Sequence, residues 1–539
     1  MAGETEGRLL PAWGEVKMRL YGQGLGDCFL LAFPRQDRPE DPCYLVIDCG
    51  VAMSTPQKDV RIKAIVENIH VATGGHIDAL AVTHQHFDHI SGFQDAWQEW
   101  KAITVDAVYL PWTEATAETG EHSGTTDFRK VLDQAAKKAL EKAAGMGLLN
   151  SQPGFRAQAD FLGIDLEAAG GAGGKIKGPA NMDEAMTFAR GLCPPGKIRF
   201  FEPGNVFRLP ETDFHAYVLG PPLPGNANPD GKKYIELLVD GTDGVMYSYG
   251  PLGLKVDAGK PGGTNAFALS DDRGLPAMAS ALLADGALSR ESDEGFSPFA
   301  PEIRLEWENA MASPFFRDHY GVREKGEEGA WRRVDSEWLA GAAALALRAG
   351  DFTNNVSLVL AFDVPGSDKM FLFPGDAQVG NWLSWHTIKE WHFLADSVPV
   401  KPPAPNDKQT LMENLLSRVV FYKVGHHASH NATIKTQGLE MMNDDLVAFI
   451  PVSVPVAQDL MGYCPMPFYP VVRALQRKTK GRVFLPNGQA VGPLPNGTTN
   501  ANLLAQAGIV CSEETLPEMK NQDGNLLQGE GPLYLEVTI

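Results

Sequence analysis

The sequence predicts a layered α/β fold. Three observations carry that expectation: short, nearly continuous apolar runs of the kind buried on both faces of a sheet, helical periodicity between them, and polar clusters that begin where the runs end. At 539 residues the chain exceeds the size at which one hydrophobic core keeps growing, so two domains or one domain with insertions are expected.

Val16, Met18 and Leu20 alternate with Lys17, Arg19 and Tyr21, the period of a half-buried strand, and lead into Gly22-Gln23-Gly24-Leu25-Gly26-Asp27, whose glycines mark a tight turn. Residues 28–33 and 44–50 read as strands buried on both faces, 60–71 as a helix and 77–83 as a further strand. A histidine cluster starts at the carboxyl end of that last strand, where α/β sites commonly lie.

From Thr126, a plausible N-cap, to the stop at Gly145, Phe128, Val131, Leu132, Ala135 and Ala139 form one stripe of an amphipathic helix. Asp127, Asp133 and Glu141 interleave with its lysines, so its polar side reads as a solvated face rather than a nucleic-acid patch. The glycine-rich stretch 168–178 reads as a loop and not a phosphate cradle, because Ile176 rather than Ser or Thr follows Lys175. Residues 214–219 predict a strand. Residues 222–350, rich in Gly, Pro and charge with a helical patch at 336–348, read as an inserted subdomain or lid between a first half (1–221) and a second half (351–539). Strands are expected again at 356–362 and 370–373, and the alternating stretch 533–539 is expected to close a sheet.

The 47 basic residues face 67 acidic ones, a net charge of −20 that opposes an extended nucleic-acid duplex but not a small or short phosphoester. No run of about 18 apolar residues offers a membrane span. The N-terminus has no apolar stretch behind a basic start, and the six cysteines are few and irregularly spaced. Together they suggest free thiols and a cytoplasmic home.

The chemistry concentrates in Thr83-His84-Gln85-His86-Phe87-Asp88-His89. Alternation at a strand end aims His84 and His86 at one point and Asp88 and His89 at a neighbouring one, which implies two adjacent metal ions. Imidazole with carboxylate favours Zn2+, with Mn2+ and Fe2+ also compatible. Two later segments add ligands: Phe373-Pro374-Gly375-Asp376, and Lys423-Val424-Gly425-His426-His427-Ala428-Ser429-His430. The isolated His70, His76, His122, His215, His319, His386 and His392 read as ordinary surface or core residues.

In this order, with Gly24-Leu25-Gly26-Asp27, Ile47-Asp48-Cys49-Gly50 and Asn355-Val356-Ser357-Leu358-Val359-Leu360, the motifs resemble the metallo-β-lactamase superfamily. The resemblance is closest to the branch of ComEC-type competence proteins and phosphorylcholine esterases. It implies an αββα sandwich carrying an inserted subdomain, and a metal-dependent hydrolase with a dinuclear site. His84, His86 and His427 would hold one ion, Asp88 and His89 the other, Asp376 would bridge them, and Asp48 would orient the ligand loop. This chain departs from the branch where a His-Pro element usually completes the second sphere: it reads Tyr463-Cys464-Pro465, and no histidine follows His430. Cys464 as a thiolate or His430 could fill the place, the second site could be weak, or Cys464 could simply be buried.

Two ions about 3.5–4 Å apart would turn a bridging water into hydroxide near neutral pH. Asp88, Asp376 and His426 are the candidate catalytic residues, His426 contacting substrate oxygen or protonating the leaving group, with Ser429 and Asn355 in positioning roles. The branch resemblance favours a phosphodiesterase or nuclease. Hydrolysis of a lactone, thioester or lactam is the alternative, and so is a degenerate metal site in a module that docks a protein partner through residues 222–350. DNA uptake is not carried over, because the chain lacks a membrane channel.

Overall fold

Phenylalanines build the centre of the molecule. Phe29, Phe33, Phe362, Phe371, Phe373 and Phe421 are buried in one cluster between two sheets, with Phe362 and Phe371 stacked at 5.3 Å. The computed structural model describes residues 7–115, 180–237, 245–246, 312–314, 350–394, 409–461, 466–521 and 523–539. The predicted helix at 126–145, the loop at 168–178, the helical patch at 336–348 and Cys464 lie outside the described residues.

The first sheet runs β1 (Lys17–Tyr21), β2 (Cys28–Phe33), β3 (Cys43–Cys49), β4 (His76–Ala81), β5 (Thr104–Pro111) and β6 (Ile198–Phe201) side by side, and the strand Tyr534–Thr538 pairs with the outer side of β1. The second contains β7 (Asn205–Arg208), β8 (His215–Gly220), β9 (Val359–Asp363), β10 (Met370–Phe373), β11 (His392–Phe393), β12 (Val419–Lys423), β13 (Val447–Phe449) and β14 (Val483–Phe484), β11 forming one edge beside β7. Period-two geometry sorts each strand's side chains between layers. On β10, Phe371 and Phe373 face the other sheet while Met370 and Leu372 join the outer cluster.

Helices cover both outer faces. Helix α1 (Lys58–Thr73) packs on the first sheet through Ile62, Ile65, Val66 and Ile69, followed by the short turns α2 (Phe87–Ile90), α3 (Gly92–Asp95) and α4 (Trp97–Trp100) and by α5 (Ala180–Gly191). On the second sheet lie α6 (Val379–Trp385), α7 (Leu411–Ser417) and α8 (Tyr469–Thr479), with Trp382, Trp385, Leu415 and Leu475 in the outer core. This is the αββα sandwich of a metallo-β-lactamase fold. No helix among the described residues is long and apolar enough to cross a membrane.

Three expectations need correction. β1 is not half-buried: Arg19 and Tyr21 are covered because Asn68 of α1 accepts from both, at 2.9 and 3.0 Å, and Arg19 lies 4.2 Å over the Tyr534 ring. The strand at 534–538 does not close the first sheet, since β15 (Ile509–Cys511) pairs on its outer side. β9 begins at Val359 rather than 356, because the Asn381 amide takes the carbonyls of Asn355 and Ser357 at 2.9 and 3.0 Å, which removes them from any ladder. β8 and β9 pair antiparallel, so the chain leaves and re-enters the second sheet at neighbouring strands on either side of residues 221–358.

Candidate metal centre

Parallel pairing puts the carboxyl ends of β3 and β4 together in one sheet and those of β10 and β12 together in the other. The ligand-type residues follow these four ends. Leu358 N donates to Thr83 O at 2.8 Å and stitches the two edges together.

The segment 84–89 lies directly on the turn after β3. A Cβ on Gly50 would fall 2.4 Å from Asp88 C and His89 N, and one on Gly26, whose φ is 145°, would fall 2.6 Å from Asp88 O. Only glycine permits that approach. Asp27 N also donates to Asp88 O at 3.0 Å. Asp48, in the left-handed region at φ 55°, accepts from Thr83 N at 2.8 Å and Thr83 Oγ1 at 2.7 Å and meets His89 Nδ1 at 2.8 Å. Its carboxylate therefore fixes the His89 ring with Nε2 turned inward.

Asp88, His89, Asp376 and His427 come together there, fully buried, with one ligand atom of each within 4.8 Å of all the others. Asp376 Oδ2 is 3.3 Å from His89 Nε2 and 3.9 Å from His427 Nε2, and His427 Nε2 is 2.9 Å from Asp88 Oδ2. His427 Nδ1 donates to Pro451 O at 2.8 Å, so its Nε2 also faces the group. Asp88 Oδ1, His89 Nε2 and Asp376 Oδ2 are buried without a hydrogen-bond partner among the described residues. Orphaned atoms of this kind are costly to bury, and converging imidazole nitrogens and carboxylate oxygens are what a divalent ion takes. The residues fit a metal.

His84 and His86 form an adjoining pair. His84 Nε2 lies 3.1 Å from His86 Nδ1, a separation that also suits two imidazoles sharing one ion at about 2.0–2.1 Å each. Thr83 Oγ1 and Ser357 Oγ hold His84 Nδ1 from behind at 3.0 and 3.2 Å.

The electrostatics split the histidines into two classes. Burial pushes His84 well down and pushes His86 and His426 down to about 4. Burial also opposes the charged forms of His89 and His427, but carboxylates led by Asp376 outweigh it and raise both. Asp376 is held well below the usual carboxylate range: burial works against its charge, and His89, Lys423 and His427 prevail.

His427 stands with Asp88 and His89, not with His84 and His86 as the resemblance implied. The reason is local: His426, His427 and Ala428 all have positive φ, of 44°, 51° and 61°, a tight left-handed turn that swings the His427 ring to Asp88. The group around Asp88 thus contains two histidines without any residue after His430. His430 itself is exposed, edge-on to Phe468 at 6.1 Å. His426 adjoins the centre, its N donating to Asp376 Oδ1 at 3.0 Å and its Nε2 lying 3.3 Å from Asn354 Nδ2. A histidine pushed to about 4 is neutral near pH 7, so it can donate from a neutral N–H but is no store of protons there.

Asn355 has no positioning role at the centre, because its amide is spent on the carbonyls of Tyr234 and Ile235, both at 3.0 Å. Ser429 donates to Asn431 Oδ1 at 3.2 Å. Sequence reasoning missed Lys423, Asp27 and Asn354. For Lys423 the signal was there: a lysine ending the apolar run Val419–Lys423 just before the histidines has to be a buried cation with partners.

No curated protein matches the chain. Residues 26–178, which begin just before β2 and include the cluster at 84–89, match the family model of the Metallo-beta-lactamase superfamily, a family of metal-dependent hydrolases.

Proposed function

We propose that this protein is a two-metal phosphodiester hydrolase. Asp88, His89, Asp376 and His427 would hold one divalent ion and His84 and His86 a second; the charge of Asp376 bears on both His84 and His86. The observation that carries the reading is the buried convergence of Asp88, His89, Asp376 and His427, with Asp88 Oδ1, His89 Nε2 and Asp376 Oδ2 making no hydrogen bond among the described residues. Zinc is the first choice for this mixed donor set, with Mn2+ and Fe2+ next. When bound, the ions supply a water acidified toward neutrality and positive charge for the attacked phosphoryl group.

The chain's own residues do the rest. Asp48 and the Pro451 carbonyl each take the Nδ1–H of a histidine and keep both rings aimed. His426 offers a neutral imidazole beside the centre for a substrate oxygen. The likeness to ComEC-type proteins and phosphorylcholine esterases supports a phosphodiester, and the charge of −20 favours a small or short one. Five described cysteines are free thiols, which supports a reducing, cytoplasmic setting.

The test is a hydrolysis screen with Zn2+ and with Mn2+, using bis(p-nitrophenyl) phosphate, single- and double-stranded DNA, RNA, a lactone, a thioester and a β-lactam. Metal content is measured on protein purified without added metal. Close to two ions per chain and cleavage confined to phosphodiesters are expected. Activity only on the lactone, thioester or lactam overturns the substrate class, and absence of metal points to a module that acts through a partner.

A further inference from the structure

Lys423 ends β12 and is fully buried, an unusual place for an ammonium group. It is held on three sides: Nζ donates to Gly375 O at 2.8 Å and to Asp376 Oδ1 at 3.1 Å, and pairs with Asp27 Oδ2 at 2.5 Å. Burial works against its charge, but Asp27 and Asp376 outweigh burial and raise its pKa.

The two oxygens of Asp376 are consequently used differently. Oδ1 accepts from Lys423 and from His426 N at 3.0 Å, while Oδ2 makes no hydrogen bond among the described residues and faces His89 Nε2 at 3.3 Å. A carboxylate with both oxygens open can bind through either or both. This one has a single oxygen to offer.

We infer that Lys423 is a positioning residue that restricts Asp376 to one metal-facing oxygen, with Asp27 as the buried anchor that holds the lysine in place. The inference rests on the proposed metal centre. Its chemical meaning is coordination number. An ion bound by one Asp376 oxygen keeps a position open for water or substrate, whereas an ion gripped by both has that position filled. Lys423 also places one positive charge among Asp27, Asp48, Asp88 and Asp376, so removing it makes the centre more attractive to cations, not less.

That sign separates positioning from simple structural support. The full chain, loaded with Co2+, is compared as wild type, Lys423→Met and the double variant Asp27→Asn/Lys423→Met. The double variant removes the carboxylate that the single one leaves buried and unpaired, which guards against loss of folding. Both variants are expected to retain at least the wild-type number of ions after dialysis. Their visible cobalt bands should lose intensity, as bands do when coordination number rises, and kcat should fall at least tenfold with little change in KM. Wild-type cobalt spectra in both variants would overturn the inference. So would loss of metal from both, since that is the mark of a structural role. If the wild type itself binds no ion, the proposed centre fails instead, and the two failures are distinct.

Discussion

The Asp48 carboxylate and the His89 ring meet at 2.8 Å through Nδ1, and the same carboxylate takes the N–H and hydroxyl of Thr83. One side chain at the end of β3 thereby sets both the path of the ligand segment and the orientation of one of its rings.

Asp48→Asn isolates that second role. Asparagine tolerates the positive φ of 55° and keeps an oxygen for Thr83 N, but its amide cannot accept the His89 proton as the carboxylate does. Metal affinity is expected to fall about 10- to 100-fold, the usual effect of losing a partner behind a ligand. Competition against a chromophoric chelator measures it. Unchanged affinity would mean that the His89 ring needs no such support.

Gly50→Ala tests the close approach. The added methyl would meet backbone atoms of Asp88 and His89 at 2.4 Å, and backbone cannot rotate aside. The variant should lose about 2–3 kcal/mol of stability, at the upper end for overpacking, and bind metal more weakly. Gly225→Ala, with open space around the new methyl, is the control and should stay within about 0.5 kcal/mol. Denaturant unfolding of the three proteins decides, and equal midpoints would refute the contact.

The strands were legible because burial on both faces leaves continuous apolar runs: β2, β3, β4 and β10 sit within a residue or two of their expected limits. The ligand-type residues were legible as types, since histidines and carboxylates crowded at strand ends have few other uses. Their grouping was not. Which point His427 reaches depends on three successive left-handed residues, a backbone choice that Ala428 does nothing to announce. Burial of Arg19 was hidden for a related reason, because its partners Asn68 and Tyr534 come from a helix and from the far end of the chain.

His426 and His427 are neighbours with separable jobs. His427→Ala should remove one ion per chain, because its Nε2 is part of the buried group. His426→Ala should keep both ions and lose roughly 10²- to 10⁴-fold in kcat, the range for a group that acts on the reacting atoms. With His426 at about 4, the loss should be uniform from pH 6 to pH 8. Metal analysis alongside a pH–rate profile distinguishes the pair; a loss confined to low pH would show that His426 acts as an imidazolium.

The two histidine classes make metal-free protein most stable near one pH. His84, His86 and His426 have folded pKa values below the unfolded value of about 6.5, so their contribution is complete above that pH and is lost as pH falls toward the folded values. Each costs up to about 1.4 kcal/mol per pH unit within that window. His89 and His427 have raised values, so theirs is complete below about pH 6.5 and is lost as pH rises through the folded pKa. The limbs cross near pH 6.5, where the thermal midpoint of metal-free protein should peak. Bound metal takes the place of the protons on His89 and His427, which abolishes the alkaline limb and shifts the optimum upward. Thermal unfolding between pH 5 and pH 8.5, with chelator and with saturating Zn2+, measures both curves. Coincident optima would mean that the charges of His89 and His427 are not exchanged for metal, and the proposed grouping of these two with Asp88 and Asp376 around one ion would fall.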